Sequence, residues 1–199
     1  MAIPSSLKVV VIAVAAGALG VLAGQWVNGN GWFHRTALGQ RILQEQMTSG
    51  APKPPADLAV AEADKPIPTL RVADLGGKPV ELPRAYAGRP ILINIWASWC
   101  GPCIKEMPEL SRYAKSQGAS GVQVVGIALD NAADVSAFLQ RIPVDYPILI
   151  DAPGPRDAGV QLGNPRGVLP YSVLVGADGR LLKQRIGPFV DGEIEGWAD

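Results

Sequence analysis

The chain has 199 residues, 48% of them hydrophobic, and its 18 Lys and Arg balance 18 Asp and Glu to a formal net charge of zero. That length is ample for one buried core, and nothing in the charge balance points to nucleic acid. Two cysteines and one distant histidine, His34, cannot supply the roughly four ligands of a zinc site, so no metal centre is expected.

The first element is an apolar run over residues 9–27, interrupted only by Gln25. As a helix it would span about 28 Å, close to the hydrocarbon thickness of a bilayer. Trp26, Trp32 and Phe33 follow where an aromatic belt would meet the headgroups, which favours a retained anchor. A cleaved signal peptide is the competing reading, since Val21-Leu-Ala23 before Gly24 offers small residues at cleavage positions. Lys8 and the amino terminus precede the run while Arg35 and Arg41 follow it, so charge leaves the orientation open. Next, Leu38, Arg41, Ile42 and Glu45 fall at helical spacing and predict a short membrane-proximal helix within 34–47. Residues 48–57 and the Ala-rich piece up to Pro68 read as a proline-punctuated spacer. The expected organisation is therefore an anchor or signal peptide over 1–27, a juxtamembrane segment and linker over 28–65, and one globular domain over 66–199.

Within that domain, 69–72 and 79–82 flank Asp74-Leu-Gly-Gly-Lys78 and read as a hairpin with a glycine turn. Strands at 91–97, 122–129 and 148–150 then alternate with helices at 103–117 and 132–141, a pattern that predicts an α/β sheet covered by helices. Segments 171–175 and 180–186, joined through Asp178-Gly179, form a closing hairpin, and a last helix begins within 191–197. Pro108 is expected to kink the first of the core helices.

Both cysteines stand directly after the strand at 91–97, in Trp99-Cys100-Gly101-Pro102-Cys103. A strand leading into this spacing sets Cys100 at a helix N-terminus, where unpaired N–H groups and the macrodipole stabilise a thiolate. Cys103 lies on the same helical face, so the sulfurs can close and reopen a short disulfide. Cys100 is the expected attacking thiolate, and Cys103, more buried, the resolving thiol of the mixed disulfide. The direction of electron flow stays open. A copper(I) carrier needs only two thiolates and remains an alternative, although such proteins usually add a histidine and the domain has none.

The string Trp96-Ala-Ser-Trp-Cys-Gly-Pro-Cys103, with its preceding strand, resembles the thioredoxin superfamily. Continued through Ile104-Lys-Glu-Met-Pro108, it is more similar to the membrane-tethered TlpA/ResA-type thiol:disulfide reductases of bacterial envelopes, and the resemblance runs from about Pro66 to the end. It implies a thioredoxin-like fold: a central mixed β-sheet flanked by helices, with an N-terminal hairpin addition and an N-terminal transmembrane helix. It also implies a catalytic domain in the periplasm or at the cell exterior, anchored in the inner membrane, with a cytosolic dithiol as the alternative. The redox group would be the Cys100–Cys103 disulfide itself, with no cofactor. Gly101-Pro102 is the dipeptide of reducing thioredoxins, so the expected role is reduction of protein disulfides, with an oxidant as the alternative. A transmembrane thiol electron donor is implied, and clients in cytochrome c maturation or metal-site assembly.

The resemblance carries further residues. Pro170, immediately before a strand, matches the cis-proline that faces the dithiol, with the Leu169 backbone turned outward to pair with a substrate strand. Trp99, Gly101, Pro102, Leu169 and Pro170 are the expected substrate-contact residues, with Trp96 in the core. Asn94 occupies the position where cytosolic thioredoxins bury an aspartate. Glu106 matches the glutamate of ResA-like reductases and is a candidate acid/base, the alternative being a solvent-facing glutamate paired with Lys105 or Arg112. Relative to such proteins, the short last helix reads as a slightly truncated carboxyl end.

Overall fold

The computed structural model describes residues 36–198. The chain divides into two compact units, residues 1–43 and 44–199. Of the first unit only the segment from Thr36 is described, and it opens helix α1 (Ala37–Thr48), close to the helix expected there. Among the described residues no helix is long and apolar enough to cross a membrane. The apolar run at 9–27 lies outside them.

The second unit is built on one seven-stranded mixed sheet in the order β2-β1-β5-β4-β3-β6-β7. Its strands are β1 (Leu70–Asp74), β2 (Pro79–Leu82), β3 (Ile91–Trp96), β4 (Gln123–Leu129), β5 (Ile148–Asp151), β6 (Tyr171–Val175) and β7 (Leu181–Ile186). β3, β4 and β5 run parallel, and the hairpins at both sides add antiparallel strands. The helices are α2 (Gly101–Gln117), α3 (Ala132–Arg141), α4 (Ala158–Gln161) and α5 (Glu193–Ala198). In the first hairpin Asp74 Oδ1 accepts from the N–H groups of Gly76 and Lys78, and Gly77 takes the positive φ that the turn requires.

Strand β3 is buried along its whole length, as a central strand covered on both faces must be. Its period of two divides the core. Leu92 and Trp96 face a cluster that holds both cysteines, with Met107, Leu110 and Tyr113 of α2, Phe138 of α3 and Ile194 of α5. Ile91, Ile93 and Ile95 face the opposite cluster with Leu70, Leu82, Leu162 and Val173. Asn94, in step with Leu92 and Trp96, therefore points at the α2 side of the sheet.

Three details differ from the sequence reading. α2 starts at Gly101, two residues ahead of the expected start, and runs through Pro108 to the expected end at Gln117, where Gly118, at φ 59°, follows it. A 3₁₀ turn (Arg84–Tyr86) and the single-turn α4 were not foreseen; α4 is capped by Asp157, whose carboxylate accepts from the Val160 N–H. Part of the stretch expected as spacer is docked onto the domain. Ala61 donates to the Gln161 carbonyl, Asp64 N–H and Lys65 C=O bond Leu181, and Ala61 and Ile67 are buried in the second cluster. Apolar side chains at these two positions hold the segment down.

Candidate active site

β3 delivers the chain into Ala97-Ser98-Trp99, and Cys100 caps α2: its Sγ accepts from the Cys103 N–H at 3.3 Å, while its own N–H bonds Ala97 C=O. Pro102 stands in the first turn, where its missing N–H costs nothing. The two sulfurs are joined as a disulfide, with Cα atoms 5.3 Å apart. Cys100 is 5% exposed and Cys103 fully buried, whereas Trp99 beside them is 72% exposed. The turn ahead of the disulfide is fixed by Asp130 at the end of β4, whose Oδ2 accepts from Ser98 Oγ (2.6 Å) and Ser98 N–H (3.2 Å).

One turn beyond Cys103, Glu106 is 1% exposed. Its Oε1 accepts from Asn94 Nδ2 at 2.8 Å and its Oε2 from the Phe189 N–H at 2.7 Å. Asn94 Nδ2 also donates to Ser172 Oγ at 3.0 Å, from the cross-strand position on β6. Burial pushes the Glu106 carboxyl up from 4.5 to about 7, against the pull of its two hydrogen bonds and of Arg185, and with the help of Glu193. Such a group exchanges a proton near neutrality. Arg185, buried on β7, pairs with Glu193 and stacks on the Phe189 ring. Burial and the Glu106 charge both raise the Tyr146 hydroxyl. Glu106 makes no pair with Lys105 or Arg112; Arg112 pairs with Glu109 instead.

The Leu169–Pro170 peptide is cis. Antiparallel pairing of Ile95 with Tyr171 carries Pro170 and Leu169 towards the end of β3, and Leu169 packs against the cluster that contains both cysteines. Trp99, Gly101 and Pro102 are exposed, Leu169 half-buried and Pro170 buried. Among the described residues no group of three His, Cys, Asp or Glu side chains is placed to hold a metal ion.

The sequence profile of the redoxin family matches residues 62–196. The chain belongs to the redoxin family. Its relatives include a thiol-disulfide oxidoreductase ResA of Bacillus anthracis, 31% identical over 143 residues that cover 71% of this chain and 80% of the relative. A thiol:disulfide interchange protein DsbE of Allochromatium vinosum is 33% identical over 138 residues, covering 68% of this chain and 71% of the relative. Among solved structures, a thioredoxin-related protein from Neisseria meningitidis serogroup B is 34% identical with a TM-score of 0.56, covering 63% of this chain and 93% of that one. This redoxin is thus a thiol:disulfide oxidoreductase with a thioredoxin-like fold, and its redox group is the disulfide of its own cysteines.

Sequence reasoning singled out Asn94 and Glu106 separately, and the structure joins them. It missed Ser172, Phe189, Arg185 and Asp130. Ser172 carried a usable signal, a hydroxyl in the otherwise apolar strand after Pro170. Phe189 acts through its backbone, which no side-chain pattern reveals.

Proposed function

We propose that this redoxin is tethered to the bacterial inner membrane by residues 9–27 and reduces protein disulfides in the periplasm or at the cell exterior. The observation that carries the chemistry is the disulfide across the N-terminus of α2, with the buried Glu106 carboxyl one turn behind it, held by Asn94 and the Phe189 N–H. In the reduced protein, the Cys100 thiolate attacks one sulfur of the client disulfide and the other client sulfur leaves as a thiolate. Glu106 takes the Cys103 proton, directly or through one water, and the Cys103 thiolate attacks Cys100 Sγ. The second client sulfur leaves, Cys100 and Cys103 end as the disulfide, and two electrons have passed to the client. A membrane thiol donor returns them by the same exchange in reverse.

The exposed Trp99, Gly101 and Pro102 offer the client its side-chain contacts, and Leu169 with Pro170 its main-chain contact beside Cys100. Maturing cytochromes c and metal-site assembly proteins, which must present reduced cysteine pairs, are clients of suitable chemistry.

The test is a Cys103→Ala trap in the full-length protein, which should accumulate a covalent adduct through Cys100 with each client. An empty trap sinks the reading. Equilibration with thiol buffers sets direction: a potential near about −270 mV supports a reductant, and one near about −120 mV makes the protein an oxidant.

A further inference from the structure

Asn94 uses only half of its amide. Nδ2 donates to Glu106 Oε1 at 2.8 Å and Ser172 Oγ at 3.0 Å, while Oδ1, buried in the core, has no hydrogen-bond partner. Resting on the reading of Glu106 as proton acceptor for Cys103, we propose that Asn94 is a positioning residue whose hydrogen bond to the Glu106 carboxyl reverses with the carboxyl's proton, and that Ser172, bonded to the same amide, reverses with it. Asn94 presents NH₂ to the carboxylate and C=O to the carboxylic acid.

The geometry dictates where the proton goes. The Phe189 N–H occupies Oε2 at 2.7 Å, so a proton taken from Cys103 settles on Oε1, the oxygen facing Asn94. There an O–H donor would meet an N–H donor in a buried site, an arrangement that costs a full desolvation penalty. A half-turn of the amide about its last torsion exchanges Nδ2 and Oδ1, which are nearly equal in size. Oδ1 then accepts from Glu106 Oε1–H. Ser172, whose hydroxyl donates as readily as it accepts, turns to donate to the same Oδ1. Each of the two bonds re-forms with its direction reversed, Nδ2 takes the partnerless place that Oδ1 held, and Glu106 stays in place in both protonation states. An aspartate at position 94 has no donor for the ionised Glu106 and would add a second charge. The other groups facing Glu106, namely Arg185 on β7, Glu193 on α5 and Tyr146 ahead of β5, need not move.

The experiment is isotope-edited NMR of the full-length oxidised protein through the Glu106 titration, followed by its carboxyl ¹³C shift. Above the midpoint, NOEs are expected from the Asn94 NH₂ to Glu106 Hγ and Ser172 Hβ; below it they should fade with the same midpoint. Unchanged NOEs at both extremes, while Glu106 titrates, overturn the proposal. Ser172→Ala should slow resolution of a Cys100 mixed disulfide about tenfold, the equivalent of one net hydrogen bond, and Ser172→Thr should restore it. An unchanged rate in Ser172→Ala also counts against it. Glu106→Gln separates the two readings: resolution as fast as wild type removes the acid/base role of Glu106, whereas a slow variant beside a fixed wild-type amide removes the reversal alone.

Discussion

Glu106→Gln should abolish a pH dependence of stability that the wild type carries. The unfolded carboxyl releases its proton near 4.5, while the folded one holds it to about 7. Between those values folding takes up a proton, so the contribution is fully present below 4.5 and is lost as pH rises through the folded pKa. The slope is about 1.4 kcal/mol per pH unit, and the whole window is worth about 3 kcal/mol. Glutamine is neutral throughout and lacks the slope. Urea unfolding of both oxidised full-length proteins, followed by tryptophan fluorescence from pH 4.5 to 8.5, measures it. Every other titratable group is common to both proteins, so the difference isolates Glu106. The wild type should lose about 3 kcal/mol relative to the variant across the window, at constant m-value. Parallel profiles would refute the buried, neutral carboxyl.

Asp130→Ala removes both bonds that fix Ser98 ahead of the disulfide, so it should cost about 1–3 kcal/mol in urea unfolding and change the alkylation rate of reduced Cys100. Trp99→Ala, at a 72% exposed position, should change stability by no more than about 0.5 kcal/mol. Its rate with a folded protein disulfide should fall while its rate with a small aromatic disulfide is kept; equal losses would remove Trp99 from client contact. Cys100→Ser should end exchange with protein disulfides altogether, read as loss of insulin reduction, because Cys103 is fully buried and cannot be attacked or attack from solvent.

The alternating core was legible because β3 and β4 are long apolar runs and the dithiol motif starts a helix directly after β3. α2 begins two residues earlier than the sequence suggested because Cys100 is itself the cap, a role outside the usual Ser, Thr, Asp and Asn signals. α4 was hidden in the Gly- and Pro-rich stretch after β5; four residues are too few to show a period, and the turn exists through Asp157 and its packing. At the site, the sequence supplied Glu106 but left it either solvent-facing or functional. What decides between these is which face of α2 lies on β3, a non-local fact. The bond to Phe189 joins residues 83 positions apart, and local spacing cannot show it.

The buried acid of this site is on the helix, and the sheet position beneath the disulfide holds an amide. That placement ties the proposed proton transfer to the loop after β7. Glu106 Oε2 binds the Phe189 N–H, and Glu109, one turn further along the same face of α2, binds the Gly192 N–H through Oε1. Two successive carboxyls of one helix thus clamp both ends of the turn that seats Phe189 in the cysteine cluster. Protonation on Oε1 leaves Oε2 as a carbonyl acceptor, and the Glu109 bond is untouched. In the proposed proton cycle the clamp therefore survives, and Phe189 keeps its place against the cysteine cluster while the charge on Glu106 comes and goes.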